Sequence, residues 1–179
     1  RDIRPECGLV SEHAWIGESN APRSFYHPDR LSAQLLWFES GEVEYRFSLG
    51  EIDPGQVEWL EISMELSSNA PMYREDFKSD IYVGLGEQEL GVWTSPGDYG
   101  ARRGRFNPSW WSDTSSQYGL LKTWRVDGLG CTLDGEPLSD VTIADLNLGA
   151  QDYLALRIGV HADAAHVGGI NLFGEQFGD

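Results

Sequence analysis

The stretch EVEYRFSL, residues 42–49, decides the fold class. Apolar and polar side chains alternate along its whole length, with Val43, Tyr45, Phe47 and Leu49 on one face and Glu42, Glu44, Arg46 and Ser48 on the other. A period of two with one polar face is typical of a strand in an antiparallel sheet that covers a core on one side. The chain is therefore predicted to build antiparallel sheets around a hydrophobic core.

Further strand-like runs follow along the chain. They occupy residues 32–39, 57–67, 79–95, 118–126, 131–146, 152–162 and 168–177. Turn residues predict hairpins at Ser40-Gly41, at Gly86 and at Asp134-Gly135, whereas residues 1–30 look irregular and no segment has a helical period. About ten short strands predict a single domain, residues 1–179, with an all-β jelly-roll β-sandwich fold of two antiparallel sheets.

The same alternation assigns the two faces of other strands. Side chains predicted to point inward are Leu60, Ile62, Met64, Leu66, Leu90, Val92, Thr94, Leu154, Leu156, Ile158 and Val160. Trp93, Arg157 and His161 are predicted to point outward. Trp59 is out of phase with its strand, which predicts a bulge or a covered outer surface. The run 32–39, SAQLLWFE, is apolar on both faces and is expected to be covered on both sides.

Composition restricts the classes of function. The chain has 29 acidic and 13 basic residues and a net charge of −16, so by itself it should repel nucleic acid. A solvated surface explains the acidity, with a cation site as the alternative. Cys7 and Cys131 are predicted to be two reduced thiols rather than a disulfide. No apolar run approaches the ~20 residues of a membrane span, and no signal peptide is visible.

The segment from Val92 to Trp124 is long and polar, yet it contains four of the seven tryptophans and three clustered arginines. Disordered segments are poor in aromatic residues, so an ordered loop is predicted. The candidate ligand-binding residues in this segment are Trp93, Tyr99, Arg102, Arg103, Trp110, Trp111 and Trp124. Either they line a ligand pocket, or the tryptophans hold the loop on the sheet while the arginines pair with carboxylates.

A second candidate surface is the outer face of the strand in residues 152–162. Arg157 and His161 lie on the same side of that strand. They are predicted either to join the ligand site, together with Asn171, or to be ordinary surface residues.

Catalytic and metal signatures are missing from the sequence. The loop carboxylates Glu75, Asp76, Asp98 and Asp113 could bind Ca²⁺ or act as a glycosidase pair, but they are predicted to be ordinary solvated loop residues. No nucleophile motif, phosphate-binding loop or zinc spacing is present. The sequence therefore predicts a protein that is not an enzyme, with no catalytic residues, no cofactor and no metal.

Four segments together resemble a known family. They are EWLEISMELSSNAPMYREDFKSDIYV, LGVWTSPGDYGARRGRFNPSWW, QYGLLKTWRV and HVGGINLFGEQFG, and they extend the resemblance from about Cys7 to Phe177. The chain resembles the C-terminal, effector-sensing domain of bacterial ArsR-like winged helix-turn-helix transcriptional regulators. This resemblance implies a cytoplasmic, dimeric regulator whose DNA-binding domain would lie upstream of Arg1.

The segment SDIYVGLGEQELGVW is also similar to galactose-binding-like jelly rolls. The resemblance thus implies an effector-sensing domain that binds a carbohydrate or another small polar ligand. A free-standing carbohydrate-binding module is the alternative, and a glycan hydrolase or lyase is the third hypothesis. A shared fold does not fix a function, and no motif names the ligand.

Overall fold

The computed structural model describes residues 2–179, and the strands of this part lie in two antiparallel sheets. The strands are β1 (Gly8–Val10), β2 (Leu35–Phe38), β3 (Gly41–Ser48), β4 (Leu60–Ser67), β5 (Ser79–Leu85), β6 (Gln88–Ser95), β7 (Leu120–Val126), β8 (Cys131–Leu133), β9 (Glu136–Ser139), β10 (Tyr153–Val160) and β11 (Ile170–Phe173). Short 3-10 helices cover Pro22–Tyr26, Pro28–Ser32, Pro54–Gln56, Ile143–Leu146 and Leu148–Ala150. No helix in residues 2–179 is long and apolar enough to cross a membrane.

The larger sheet has seven strands in the order β1-β2-β11-β4-β7-β8-β9, and the smaller has four in the order β3-β10-β5-β6. The predicted all-β sandwich of two antiparallel sheets is thereby confirmed. The finer jelly-roll and galactose-binding-like assignments stay predictions.

The inner faces of the two sheets form the main core. Its largest side chains are Trp124, Phe38, Leu66, Ile81, Leu85, Leu90, Leu146, Ile158 and Ile170. Cys7 and Cys131 are buried in the same core as free thiols. Burial raises the pKa of both thiols, which keeps them protonated and poorly reactive.

The predicted faces are confirmed in β10, whereas Tyr45 and Phe47 of β3, predicted to lie on the core face, are 39% and 54% exposed. Leu154, Leu156, Ile158 and Val160 of β10 are buried, while Tyr153 is exposed and Arg157 is half-buried. The hairpins β5–β6 and β8–β9 form at the predicted turns, and both Asp134 and Gly135 have the positive φ that a tight turn requires. Trp59 lies just before β4, where the guanidinium of Arg125 covers its ring at 4.4 Å.

The hairpin predicted at Ser40-Gly41 is wrong, because β2 belongs to the seven-stranded sheet and β3 to the four-stranded sheet. The chain crosses between the sheets at Gly41, whose φ of +116° only glycine adopts readily. The backbone of Asp2 and Ile3 packs so close to Gly41 that a Cβ there would lie 2.6 Å from the Asp2 carbonyl oxygen. Alternation within each strand cannot reveal this change of sheet.

The prediction that Val92 points inward and Trp93 outward is also wrong. A bulge shifts the pairing of β6, so that Gly84 pairs with Glu89 but Val83 pairs with Gly91. The extra residue, Leu90, reverses the phase of the rest of the strand. Val92 is therefore exposed, and Trp93 lies opposite Ile81 and packs against the core.

A second, smaller core covers the outer face of the seven-stranded sheet. It consists of Val10, Leu35, Trp111, Phe173 and Phe177, with Trp37 packed against them. This cluster explains why residues 32–39 are apolar on both faces, as predicted. It also includes β1, a three-residue strand inside the region predicted to be irregular.

Candidate ligand-binding site

The connection between β6 and β7, residues 96–119, is called the long loop here. A bridge between Tyr99 and Tyr118 closes its base, and the two rings stack with centroids 5.4 Å apart. The long loop is ordered, as its aromatic content predicted.

The two candidate arginines of the long loop are both paired inside the protein. Arg102 forms a bidentate ion pair with Asp179, and its guanidinium stacks over the ring of Tyr118 at 3.9 Å from the ring centroid. Arg103 pairs with Asp113 and donates to the carbonyl oxygens of Trp111 and Pro108. Each guanidinium therefore ties one part of the long loop to another or to the end of the chain.

The tryptophans of the segment separate into buried and exposed ones. Trp124 is 1% exposed in the main core, and Trp111 is 7% exposed in the smaller core, where Nε1 donates to the Ser116 carbonyl. Neither ring offers a surface to a ligand. Trp93 is half-buried beneath Lys122. Trp110 is 37% exposed, and its Nε1 donates to the Glu12 carbonyl.

Asp98, near the start of the long loop, anchors the loop through buried hydrogen bonds. Its carboxylate is fully buried, and Oδ2 accepts 2.8 Å hydrogen bonds from the Ala70 amide and the Ser116 hydroxyl. The pKa of Asp98 is raised to about 6, because burial raises it by more than hydrogen bonds, those from Ala70 and Ser116 first among them, lower it. This carboxylate has no access to solvent, so it cannot serve a bound glycan as acid or base.

Asn171 belongs to the same buried network. Its amide donates to Ser67 Oγ, to the Ser68 carbonyl and to Ser116 Oγ. Of the two alternatives for Arg157 and His161, the one that joins them with Asn171 is wrong, because β11 and β10 are in different sheets.

Arg157 and His161 do lie together, on the outer face of the four-stranded sheet. They line an open pocket of about 350 Å³, called the outer-face pocket here. Its other lining residues are Asp2, Arg4, Ser40, Gly41, Glu42, Tyr82, Glu89, Val160 and Ala162. The pocket lies where the beginning of β3 meets the end of β10.

Two glycines allow the side chains of the outer-face pocket to meet across the strands. Gly159 lies between Glu42 of β3 and Tyr82 of β5 in the register of the sheet. Because Gly159 has no side chain, the phenol of Tyr82 crosses over it and donates a 2.5 Å hydrogen bond to Glu42 Oε2. Gly84 leaves the same kind of gap for Arg157, whose Nη2 would lie 3.0 Å from a Cβ there.

Arg157 has more donors than the protein uses. Its Nη1 lies 3.9 Å from Glu42 Oε2, and Nη2 donates a long 3.4 Å hydrogen bond to the Gln88 carbonyl. Its Nε is buried and has no hydrogen-bond partner in residues 2–179. Because Nε is enclosed by the protein, a ligand in the pocket would meet the two Nη atoms, which have donors left over from these long contacts.

Tyr82 and His161 form an aromatic wall of the pocket. Their rings stack in parallel with centroids 4.0 Å apart, and His161 Nε2 lies 3.3 Å from Glu89 Oε2. Burial raises the pKa of Tyr82 above its ordinary value, and the hydrogen bond to Glu42 raises it further. The phenol therefore stays protonated and acts as a donor.

Glu42, Tyr82 and Glu89 were not among the residues predicted for the site. The alternation of residues 42–49 places Glu42 on the outer face, which is the side of Arg157. Only the strand order β3-β10-β5-β6 brings these side chains beside Arg157, and the sequence pattern does not contain that order.

Metal binding finds no support in this geometry. Within residues 2–179, no three His, Cys, Asp or Glu side chains converge closely enough to hold a metal ion.

Comparison of the chain with protein-family models, with curated proteins and with solved structures finds no match.

Proposed function

We propose that this chain is a ligand-binding domain that holds a small polar molecule, of carbohydrate type, in the outer-face pocket. The observation on which the proposal rests is Arg157, whose side chain is 20% exposed in an open pocket and whose Nη atoms have only long contacts, 3.9 Å to Glu42 Oε2 and 3.4 Å to the Gln88 carbonyl. Ligand sites combine apolar walls with a few convergent polar groups. Here the stacked rings of Tyr82 and His161 are the wall, and the charged groups are Asp2, Arg4, Glu42, Glu89 and Arg157.

The mixture of charges favours a ligand with many hydroxyl groups over a simple ion. Carboxylates such as Glu42 and Glu89 accept hydrogen bonds from hydroxyls, while Arg157 donates to hydroxyl or ring oxygens. A simple anion would meet the carboxylates, and a simple cation would meet Arg157. A C–H face of a sugar ring would lie against His161, the exposed member of the Tyr82–His161 stack.

The resemblance noted in the sequence supplies the biological context of the proposal. The domain would sense an effector for a cytoplasmic transcriptional regulator and would bias the arrangement of DNA-binding domains encoded upstream. This proposal predicts that the reading frame before Arg1 encodes a winged helix. A frame that encodes a secretion signal and a neighbouring catalytic domain would contradict it.

A second candidate function, a carbohydrate-binding module, is favoured by a different surface. Trp15 is 48% exposed beside the partly exposed Trp110, and both rings lie against Trp111. Exposed tryptophans of this kind can stack on sugar rings. The two functions place the ligand on opposite sheets and can be separated by mutation.

A thermal-shift screen against neutral sugars, uronic acids and sugar phosphates tests the proposal. A ligand at 100 times its dissociation constant should add about 2.7 kcal/mol to the stability. Arg157→Met removes the guanidinium donors and keeps an unbranched side chain, so it should abolish or weaken the shift. Trp110→Ala is the matched control and should leave the shift unchanged. A shift lost in Trp110→Ala alone would favour the module instead.

A further inference from the structure

The outer edge of β3 is free in the part of the chain that the structure describes. β3 is the first strand of the four-stranded sheet and pairs only with β10. The Asp2–Ile3 segment approaches this strand near Gly41, and residues 44–48 are all exposed. An exposed edge of this length is a template for pairing with another strand unless it is protected.

Two apolar side chains next to this edge are also uncovered. Tyr45 and Phe47 point toward the core side of the sheet, yet they are 39% and 54% exposed. Val43 and Leu49, on either side of them, pack in the main core, so Tyr45 and Phe47 form a partly uncovered apolar patch on this face.

The backbone of β3 shows which groups the free edge presents. Leu49 donates a hydrogen bond to Asp152 O, and the register pairs Phe47 with Leu154 and Tyr45 with Leu156. In an antiparallel ladder the bonded pairs alternate with non-bonded ones. The odd-numbered residues of β3 thus bond to β10, and the N–H and C=O groups of Glu44 and Arg46 point away from the sheet.

The side chains on the outer face have a self-complementary order. Glu44 and Arg46 lie two residues apart with opposite charges, and Arg46 Nε donates a 2.6 Å hydrogen bond to Glu44 Oε1. If a second β3 paired antiparallel about a two-fold axis at Tyr45, each Glu44 would lie opposite an Arg46. On the other face, Val43 would meet Phe47, and the two Tyr45 rings would meet each other.

We propose that the β3 edge binds a second copy of this chain, so that two four-stranded sheets join into one continuous eight-stranded sheet. In this register Glu44 of one copy and Arg46 of the other form a hydrogen-bonded pair. The backbone N–H and C=O groups of these residues, which point away from the sheet, make the new hydrogen bonds. Four charges alternate in sign around the axis, and cross-strand pairs of opposite charge are favourable. Neighbouring registers place Glu44 opposite Glu44 or Arg46 opposite Arg46, which disfavours them.

Charge reversal tests the proposal without any need for a ligand. We expect sedimentation velocity of the wild-type chain, at physiological ionic strength and rising concentration, to show a dimer. Glu44→Arg and Arg46→Glu should each give monomers, because like charges then face each other across the axis. Glu175→Arg is the control, since it makes the same charge change at an exposed position beyond β11 in the other sheet.

Mixing the two single variants gives the decisive result. In a mixed dimer every Arg again faces a Glu, so an equimolar mixture of Glu44→Arg and Arg46→Glu should recover the dimer, as should the double variant Glu44→Arg/Arg46→Glu. Circular dichroism of each variant establishes that it is folded. A wild-type chain that stays monomeric at all concentrations would overturn the proposal, as would a dimer that Glu44→Arg leaves intact.

Discussion

The phenol of Tyr82 lies over Gly159 and donates a 2.5 Å hydrogen bond to Oε2 of Glu42. This bond joins β5 to β3 across β10, and Glu42 is only 8% exposed. It fixes one wall of the outer-face pocket before any ligand arrives. The pocket is therefore preorganised, which reduces the entropic cost of binding.

Tyr82→Phe should lower the free energy of unfolding by about 1–2 kcal/mol, because it leaves a buried carboxylate without its donor. The ring and its stack on His161 are retained, so packing changes little. Chemical denaturation measures the difference. Tyr153→Phe is the control, since Tyr153 is exposed and its hydroxyl makes no side-chain hydrogen bond in residues 2–179. Equal losses in both variants would contradict the role of the Tyr82 phenol.

Gly159→Ala should destabilise the fold by about 2–3 kcal/mol, because the site has no room for a methyl group. A Cβ there would lie 2.3 Å from the Gly41 carbonyl oxygen and 2.9 Å from the Tyr82 ring. Gly128→Ala is the matched control, since a Cβ at Gly128 meets nothing within 4 Å. Thermal unfolding of the two variants compares them directly. A Gly159→Ala protein as stable as Gly128→Ala would show that Tyr82 does not depend on the gap.

The two adjacent tryptophans of the long loop should respond differently to truncation. Trp111→Ala removes a buried ring from the smaller core and should cost about 3–5 kcal/mol. Trp110→Ala removes a partly exposed ring and should cost about 1 kcal/mol or less. Denaturant midpoints give both values. If Trp110→Ala were the more damaging change, the assignment of Trp111 as the residue that holds the loop would be wrong.

Asp98 should make the protein less stable as the pH rises from about 4 to about 6. Its pKa is raised to about 6 in the folded state from its ordinary value of 3.8, so the folded form binds more protons than the unfolded form within that window. The contribution of such a shift is about 3 kcal/mol, present below the lower pKa and lost once the pH exceeds the upper one. The free energy of unfolding as a function of pH measures this effect.

Asp98→Asn provides the comparison for that measurement. Asp80, Asp134 and Asp179 have lowered pKa values, so they stabilise the fold at neutral pH and lose this effect near pH 4 and below. They titrate equally in both proteins and cancel in the difference. The stability of the wild type relative to Asp98→Asn should fall as the pH rises from about 4 to about 6. A constant difference would show that folding does not raise the pKa of Asp98.

Strand periodicity was sufficient for those parts of the fold that depend on one strand at a time. The alternation of residues 42–49 and 152–162 assigned their outer faces, and the outer face of β10 is the side on which Arg157 and His161 meet. Leu90 shows the limit of this approach. One extra residue in a bulge exchanges Val92 and Trp93 between the faces. The position of the bulge cannot be predicted from the alternation of apolar and polar residues.

Topology explains what periodicity missed in the candidate site. Tyr82 and Glu42 are 40 residues apart and meet only because β10 lies between their strands. The role of the long loop could not be predicted for a different reason. Its content of tryptophan and arginine is compatible with both ligand contact and internal packing. Only the partners of Arg102 and Arg103 distinguish the two, and those partners are Asp179, Asp113 and backbone carbonyls.

The most direct test of the account is the affinity of a screened sugar for three proteins, measured by isothermal titration calorimetry. The wild type, Arg157→Met and Trp110→Ala are compared after each is shown to be folded. If the ligand binds in the outer-face pocket, Arg157→Met should weaken binding at least about tenfold, which is 1.4 kcal/mol, and Trp110→Ala should match the wild type. Full affinity in Arg157→Met, with loss in Trp110→Ala, would contradict the account and place the ligand on the tryptophan surface.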